Sequence, residues 1–283
     1  MREADKQIQH ELRHVPYSTI ATKCEDLKTE LAARGIRYHP NSILGKVLRA
    51  AEERLHSDTK GDENARLVTE IYVSHAQRIA HACLAARSDA GAKECIRRVI
   101  AENTDLSQQT SSRGKDALWE LELAEILRRK GNQVNHIDPP DLMCSVSFGP
   151  YPIACKKIYS IKNIESQVRK GARQLADYGL PGIVALNLDD LVPASSILQS
   201  SSHEDASACL GDLNWDFLDR HKHKMHRFIR DGRCDGVLLA TTAFVDIPSS
   251  QIRSHTITAT TLWTINFDER AQVRLDEIRN ILS

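Results

Sequence analysis

The segment Gly182-Ile-Val-Ala-Leu-Asn-Leu188 constrains the fold more than any other part of the chain. A short, nearly continuous apolar run of this kind suits a central strand buried on both faces, and a strand of that type needs helices on either side. The surrounding pattern supplies them. Ala117 to Lys130 has helical spacing and stops at Gly131, placed as a C′ glycine. Strands are predicted over Gln133 to Ile137, Asp141 to Phe148 and Tyr151 to Ser160, the last two joined at Gly149-Pro150. A helix is predicted over Ile164 to Tyr178. Beyond the central strand come a Ser-rich stretch, Pro193 to Ser207, read as a mobile insertion, and a basic helix from Trp215 to Arg230. Strands over Val237 to Val245 and Ile257 to Phe267 and a helix over Glu269 to Leu282 close the chain.

The first 105 residues differ in character. Apolar positions recur with helical period over Ser42 to Leu55, Ala65 to Ala86 and Ala92 to Ala101, and strand signals are sparse. The organisation read from this is a helical unit over 1–105 offering a surface to a protein partner or a second copy, a polar linker over 106–115, and a mixed α/β unit over 116–283.

Composition excludes some functions. Among the 283 residues, 38 basic and 38 acidic side chains balance, so attraction to nucleic acid has to come from local patches. Seven cysteines at 24, 83, 95, 144, 155, 209 and 234 form no CxxC pair, which argues against a zinc site or a disulfide framework and for reduced thiols in the cytoplasm. The opening residues Met-Arg-Glu-Ala-Asp-Lys lack an apolar signal core, and no apolar run is long enough to span a membrane. Phosphate-binding loops, the nucleophile-elbow motif and dinucleotide fingerprints are missing.

The chemistry-bearing residues lie between Trp119 and Tyr178. On a helical wheel Glu120 falls on the apolar arc with Ala117, Leu123, Ala124 and Leu127, while Glu122 and Glu125 fall on the polar side with Arg129. A carboxylate on an apolar stripe must be paired, protonated or metal-bound. Asp141 follows Pro139-Pro140 and so sits at a strand mouth. In the next strand, alternation puts Ala154 and Lys156 on one face and Cys155 and Lys157 on the other. On the following helix Gln167, Gly171, Gln174 and Tyr178 make one ridge, and Arg169, Lys170 and Arg173 lie opposite.

This series resembles the active-site segment of the PD-(D/E)XK nuclease superfamily, over roughly residues 115 to 190. The Gln174-to-Tyr178 spacing is similar to its RecB-type branch. The resemblance implies a restriction-endonuclease-like mixed-sheet core and hydrolysis of DNA phosphodiester bonds with Mg²⁺ or Mn²⁺. Glu120, Asp141 and the Cys155 backbone carbonyl would hold the metal. Lys156 and Gln174 would serve catalysis. Lys157, Arg169, Lys170, Arg173, Tyr178, Lys222, Lys224 and Arg227 would contact nucleic acid. A nuclease with a helical extension also suits, by analogy, a prokaryotic antiviral-defence effector restrained by partners.

One departure is conspicuous. Ala154 stands where the family has Glu or Asp, so the chain is expected to be catalytically impaired. Three explanations are open: a substitution that traps an inactive form, a natural loss that leaves a nucleic-acid-binding or scaffolding subunit, or migration of the acid to Glu165. His223 and His226 have metal-ligand spacing, but no acid or cysteine accompanies them, so they read as part of a basic surface.

Overall fold

The computed structural model describes residues 8–13, 16–56, 63–193, 197–250, 254–265 and 268–282. Its centre is one mixed sheet. The strands are β1 (Ile8–Arg13), β2 (Gln133–His136), β3 (Leu142–Val146), β4 (Gly149–Lys157), β5 (Ile183–Asn187), β6 (Ile197–Gln199), β7 (Gly236–Asp246) and β8 (Ser254–Trp263). Their order is β1-β8-β7-β5-β4-β3-β2, with β6 paired to β7. The β4–β5 and β5–β7 pairs are parallel, while β2–β3–β4 and β7–β8–β1 are antiparallel. As its composition predicts, β5 is central and every residue in it is buried.

Helices cover both faces. On one face α5 (Arg113–Arg129) and α8 (Glu269–Leu282) pack Trp119, Leu123, Leu127, Leu275 and Ile278 against Tyr151, Ile153, Cys155, Ile183 and Leu238. On the other face α6 (Ile164–Tyr178) and α7 (His203–Arg230) pack Val168, Ala172, Leu175, Leu218 and Phe228 against Ala154, Val184, Leu186 and Leu239. Alternation along β4 thus sends Ala154 and Cys155 into different cores.

The helices α1 (Tyr17–Ala33), α2 (Ile43–His56), α3 (Glu63–Ala85) and α4 (Lys93–Ala101) form an additional layer outside α5. Their core includes Leu27, Leu48, Ile79 and Val99, and also Ala117, Leu118 and Leu121 of α5. Because α5 is covered on both sides, Glu122 and Glu125 are buried instead of facing water, and Glu122 holds the Arg78 guanidinium through two hydrogen bonds of 2.6 and 2.9 Å.

Three further expectations change. The N-terminal region contributes a strand, since β1 pairs with β8 as an edge of the same sheet. The predicted linker is anchored at its end: Gly114 and Lys115 are buried, and the Lys115 ammonium donates to the Gln108 carbonyl and to Asp190, both at 2.6 Å. The Ser-rich stretch holds β6 and the start of α7, apart from residues 194–196, which lie outside the described residues. Ser202 caps α7 by accepting from the Asp205 N–H at 3.1 Å, and Ala206 and Leu210 are buried one and two turns on.

No helix among the described residues is long and apolar enough to cross a membrane.

Candidate active site

Asp141 lies immediately before β3, one step beyond the Leu142–Ile153 pair, and is therefore across from Ala154. Its Oδ2 accepts from the Cys155 N–H at 2.6 Å and from the Lys156 ammonium at 2.8 Å. The Gln174 amide of α6 reaches Oδ1 at a long 3.4 Å, and Gln174 Oε1 is a buried acceptor without a partner. Asp141 thus joins the strand carrying the lysine to the helix carrying the glutamine.

Glu120 approaches from α5. Its Oε2 accepts a hydrogen bond from the Cys95 thiol of α4 at 3.0 Å. Burial pushes the carboxyl up to about 7, and the charge of Asp141 pushes in the same direction. The Cys95 hydrogen bond, Lys156 and Arg98 oppose both. A carboxyl raised by a neighbouring carboxylate is one that a cation would re-ionise. Glu120, Lys156 and Lys157 share a pocket of about 170 Å³ with Arg98, Arg113, Asp116, Cys155 and Gln167. Asp116 is itself raised by burial, and Tyr159 donates to it at 2.8 Å.

The structure therefore brings Glu120, Asp141, Lys156 and Gln174 together. Other expected contributors are elsewhere. The Cys155 carbonyl, expected to face a metal, accepts the Lys156 ammonium at 2.7 Å. Lys157, expected at a nucleic-acid surface, is only 4% exposed. It donates to Asn187 and pairs with Asp190 at 2.8 Å, because it points to the other side of β4. Glu165 binds Arg169 and Arg227 at the surface of α6 and α7, so it does not supply the acid lacking at 154. Ala154 is fully buried. A Cβ added at Gly171 would lie 2.8 Å from Val184 and 3.4 Å from the Ala154 methyl, so these two small residues let α6 approach the sheet closely.

The cationic positions are exposed but mostly engaged. Arg173 is near Asp177 at 3.5 Å, Lys222 pairs with Asp219 at 2.9 Å, and Lys224 donates to the Ile161 carbonyl at 3.3 Å. Lys170 has no partner among the described residues, and Tyr178 is exposed. Surface pairs of this type hold their charges weakly and release them readily to a phosphate.

The donor set suits one kind of metal. Magnesium prefers oxygen ligands, keeps several of its waters and is bound through one or two carboxylates. Glu120 and Asp141 are carboxylates of the kind such an ion takes, and Gln174 Oε1 is a buried oxygen without a partner. Among the described residues no three His, Cys, Asp or Glu side chains are arranged to hold an ion.

Cys95, Arg98, Arg113 and Asp116 were not found as site residues from sequence. Cys95 precedes Glu120 by 25 positions on a separate helix, and no local pattern links the two. No protein-family profile matches the chain, and no curated protein or solved structure matches it significantly.

Proposed function

We propose that the chain is a nucleic-acid-binding protein of the PD-(D/E)XK type, with a restriction-endonuclease-like core and a phosphodiesterase site impaired at position 154. The observation that carries this reading is the Lys156 ammonium held 2.8 Å from Asp141, with Glu120 at the same pocket. An acid at a strand mouth, a lysine on the neighbouring strand and a glutamate on the preceding helix form the arrangement that phosphodiester hydrolysis uses.

Glu120 and Asp141 would hold the magnesium, which when bound offsets phosphate charge and lowers the pKa of a water. Asp141 fixes the Lys156 ammonium against the strand, so its charge is oriented before substrate arrives. Gln174 restrains Asp141 from the α6 side. Arg98 and Arg113 line the pocket and attract a phosphate. The position across from Asp141 is an alanine methyl, so a third carboxylate is missing from the face that carries Lys156, and turnover is weak or nil.

A second reading is supported by the packing of Ala154. A residue fully buried beneath α6 and close to Gly171 has a structural role as an alanine. On that reading the fold grips nucleic acid, or scaffolds a complex, without cutting.

Restoring the acid decides between them. Ala154→Glu and the shorter Ala154→Asp, both checked for folding, are incubated with supercoiled plasmid and with RNA in Mg²⁺, Mn²⁺ or Ca²⁺. The nuclease reading expects cleavage with Mg²⁺ or Mn²⁺ and not with Ca²⁺, and a loss of roughly 10²-fold on adding Lys156→Met. Folded variants that bind either nucleic acid but cut neither leave the non-catalytic reading.

A further inference from the structure

Helix α4 belongs to the outer helical layer, yet it supplies two residues to the pocket. Cys95 and Arg98 are three apart and lie on one side of the helix. Arg98 lines the pocket beside Glu120, steadied by Glu94 at 3.2 Å. Cys95 is buried, and its sulfur is 3.0 Å from Glu120 Oε2. The geometry is that of a thiol S–H donating to a carboxylate oxygen.

The sulfur is also rigidly placed. Ile96, Val99 and Ile100 of α4 pack in the same core as Ala117, Leu118 and Leu121 of α5. Glu120 is on that stretch of α5, so the distance from α4 to the carboxylate is set by a packed interface and not by a loop. A thiol is a weak donor, but directed from a fixed backbone it selects one rotation of the carboxylate.

We infer that Cys95 is a positioning residue for Glu120: helix α4 sets the orientation in which that carboxylate is offered to a divalent cation, which makes the helical layer a wall of the site as well as a surface for partners. The inference rests on the metal-dependent reading above.

Manganese binding by the full chain, followed by electron paramagnetic resonance, tests it without requiring turnover. The samples are the unaltered chain, Glu120→Gln, Cys95→Ser and Cys95→Ala, with urea unfolding of each. Cys95→Val retains volume but cannot donate, and replaces the alanine variant should that one not fold. Losing an outer partner of a metal ligand weakens affinity by about 10-fold or more. Cys95→Ala or Cys95→Val should show that loss, while Cys95→Ser, whose hydroxyl still donates, should stay within a few-fold of the unaltered chain. Equal weakening by serine and alanine, in step with their stabilities, would reduce Cys95 to a packing residue. Tight binding by Cys95→Ala alongside weak binding by Glu120→Gln would overturn the inference and spare the metal reading. No manganese binding by the unaltered chain, or full binding by Glu120→Gln, would remove the metal role of Glu120 and this inference with it.

Discussion

Lys156 and Lys157 are neighbours on β4 and have opposite surroundings. Lys156 meets one carboxylate, Asp141, at the edge of a pocket. Lys157 enters a buried network of three cations, Arg78, Lys115 and Lys157, and three acids, Glu122, Asp189 and Asp190. That network ties α3 of the helical layer to α5, to β4 and to the turn after β5, and the Thr242 N–H adds a 2.8 Å hydrogen bond to Asp189. A one-residue step along a strand reverses the face. Both lysines line the pocket, but only Lys157 is also bound into the network that holds the layers together.

The largest expected effect is in the network. Arg78→Met leaves Glu122 and Asp189 buried without their shared cation, so unfolding in urea should show a loss of about 3–5 kcal/mol. Arg98→Met at the pocket should cost well under about 1 kcal/mol. Comparable losses would break the distinction between a structural region and a functional one.

Asp141→Asn is intermediate. It weakens the acceptor for the Cys155 N–H and removes the counter-charge of Lys156, so about 1–3 kcal/mol is expected in the same assay. A loss as large as that of Arg78→Met would put Asp141 among the structural ion pairs.

The two regions also differ in the sign of their pH dependence. Asp189 has its pKa lowered: burial raises it, but Arg78, Lys157 and the bonds from Arg78 and Thr242 outweigh that. Its contribution is present above the unfolded carboxylate range and is lost as pH falls. Glu120 is raised from 4.5 to about 7, so its folded state favours the neutral form. The stability it retains at low pH declines as pH rises from the unfolded value to about 7. Glu120→Gln should therefore gain stability relative to the unaltered chain at pH 8, by about 1–3 kcal/mol, and gain little at pH 4.5. Denaturant unfolding at both pH values checks this; a gain confined to acid would invert the assignment.

The smallest stability effects belong to the exposed ion pairs of α7. Arg220→Ala and Lys222→Ala should each change stability by less than about 0.5 kcal/mol. On the proposed nucleic-acid role they should still weaken duplex binding and flatten its dependence on salt. Fluorescence anisotropy across a salt series reads this effect apart from stability.

What was legible in the sequence follows from the range of each interaction. Helices α6 and α8 have the predicted bounds because caps and periodicity are local, and β5 was marked by its apolar run. The meeting of Glu120, Asp141, Lys156 and Gln174 was expected from the family resemblance, while strand alternation by itself placed only Ala154 and Lys156 on one face. The misplaced residues depend on a second layer. Glu122 was read as polar-facing because a wheel shows only one buried stripe, whereas α5 has helices on one side and the sheet on the other. Lys157 looked like a surface lysine because Asp190 is 33 residues away and Arg78 is 79 away. Strand β1 depends on β8 for its backbone partners, and no short-range signal announces that pairing.

The two lysines provide the most direct test. Lys156→Met and Lys157→Met differ by one position and remove the same charge from the same strand. In urea unfolding at pH 7, Lys157→Met should lose about 1–3 kcal/mol, since buried Asp190 and Asn187 each lose one donor while Lys115 and the Asp189 N–H still reach them. Lys156→Met should remain within about 1 kcal/mol of the unaltered chain. Equal losses, or a larger loss for Lys156→Met, would contradict the account in which Lys157, although it also lines the pocket, carries the frame and Lys156 does not.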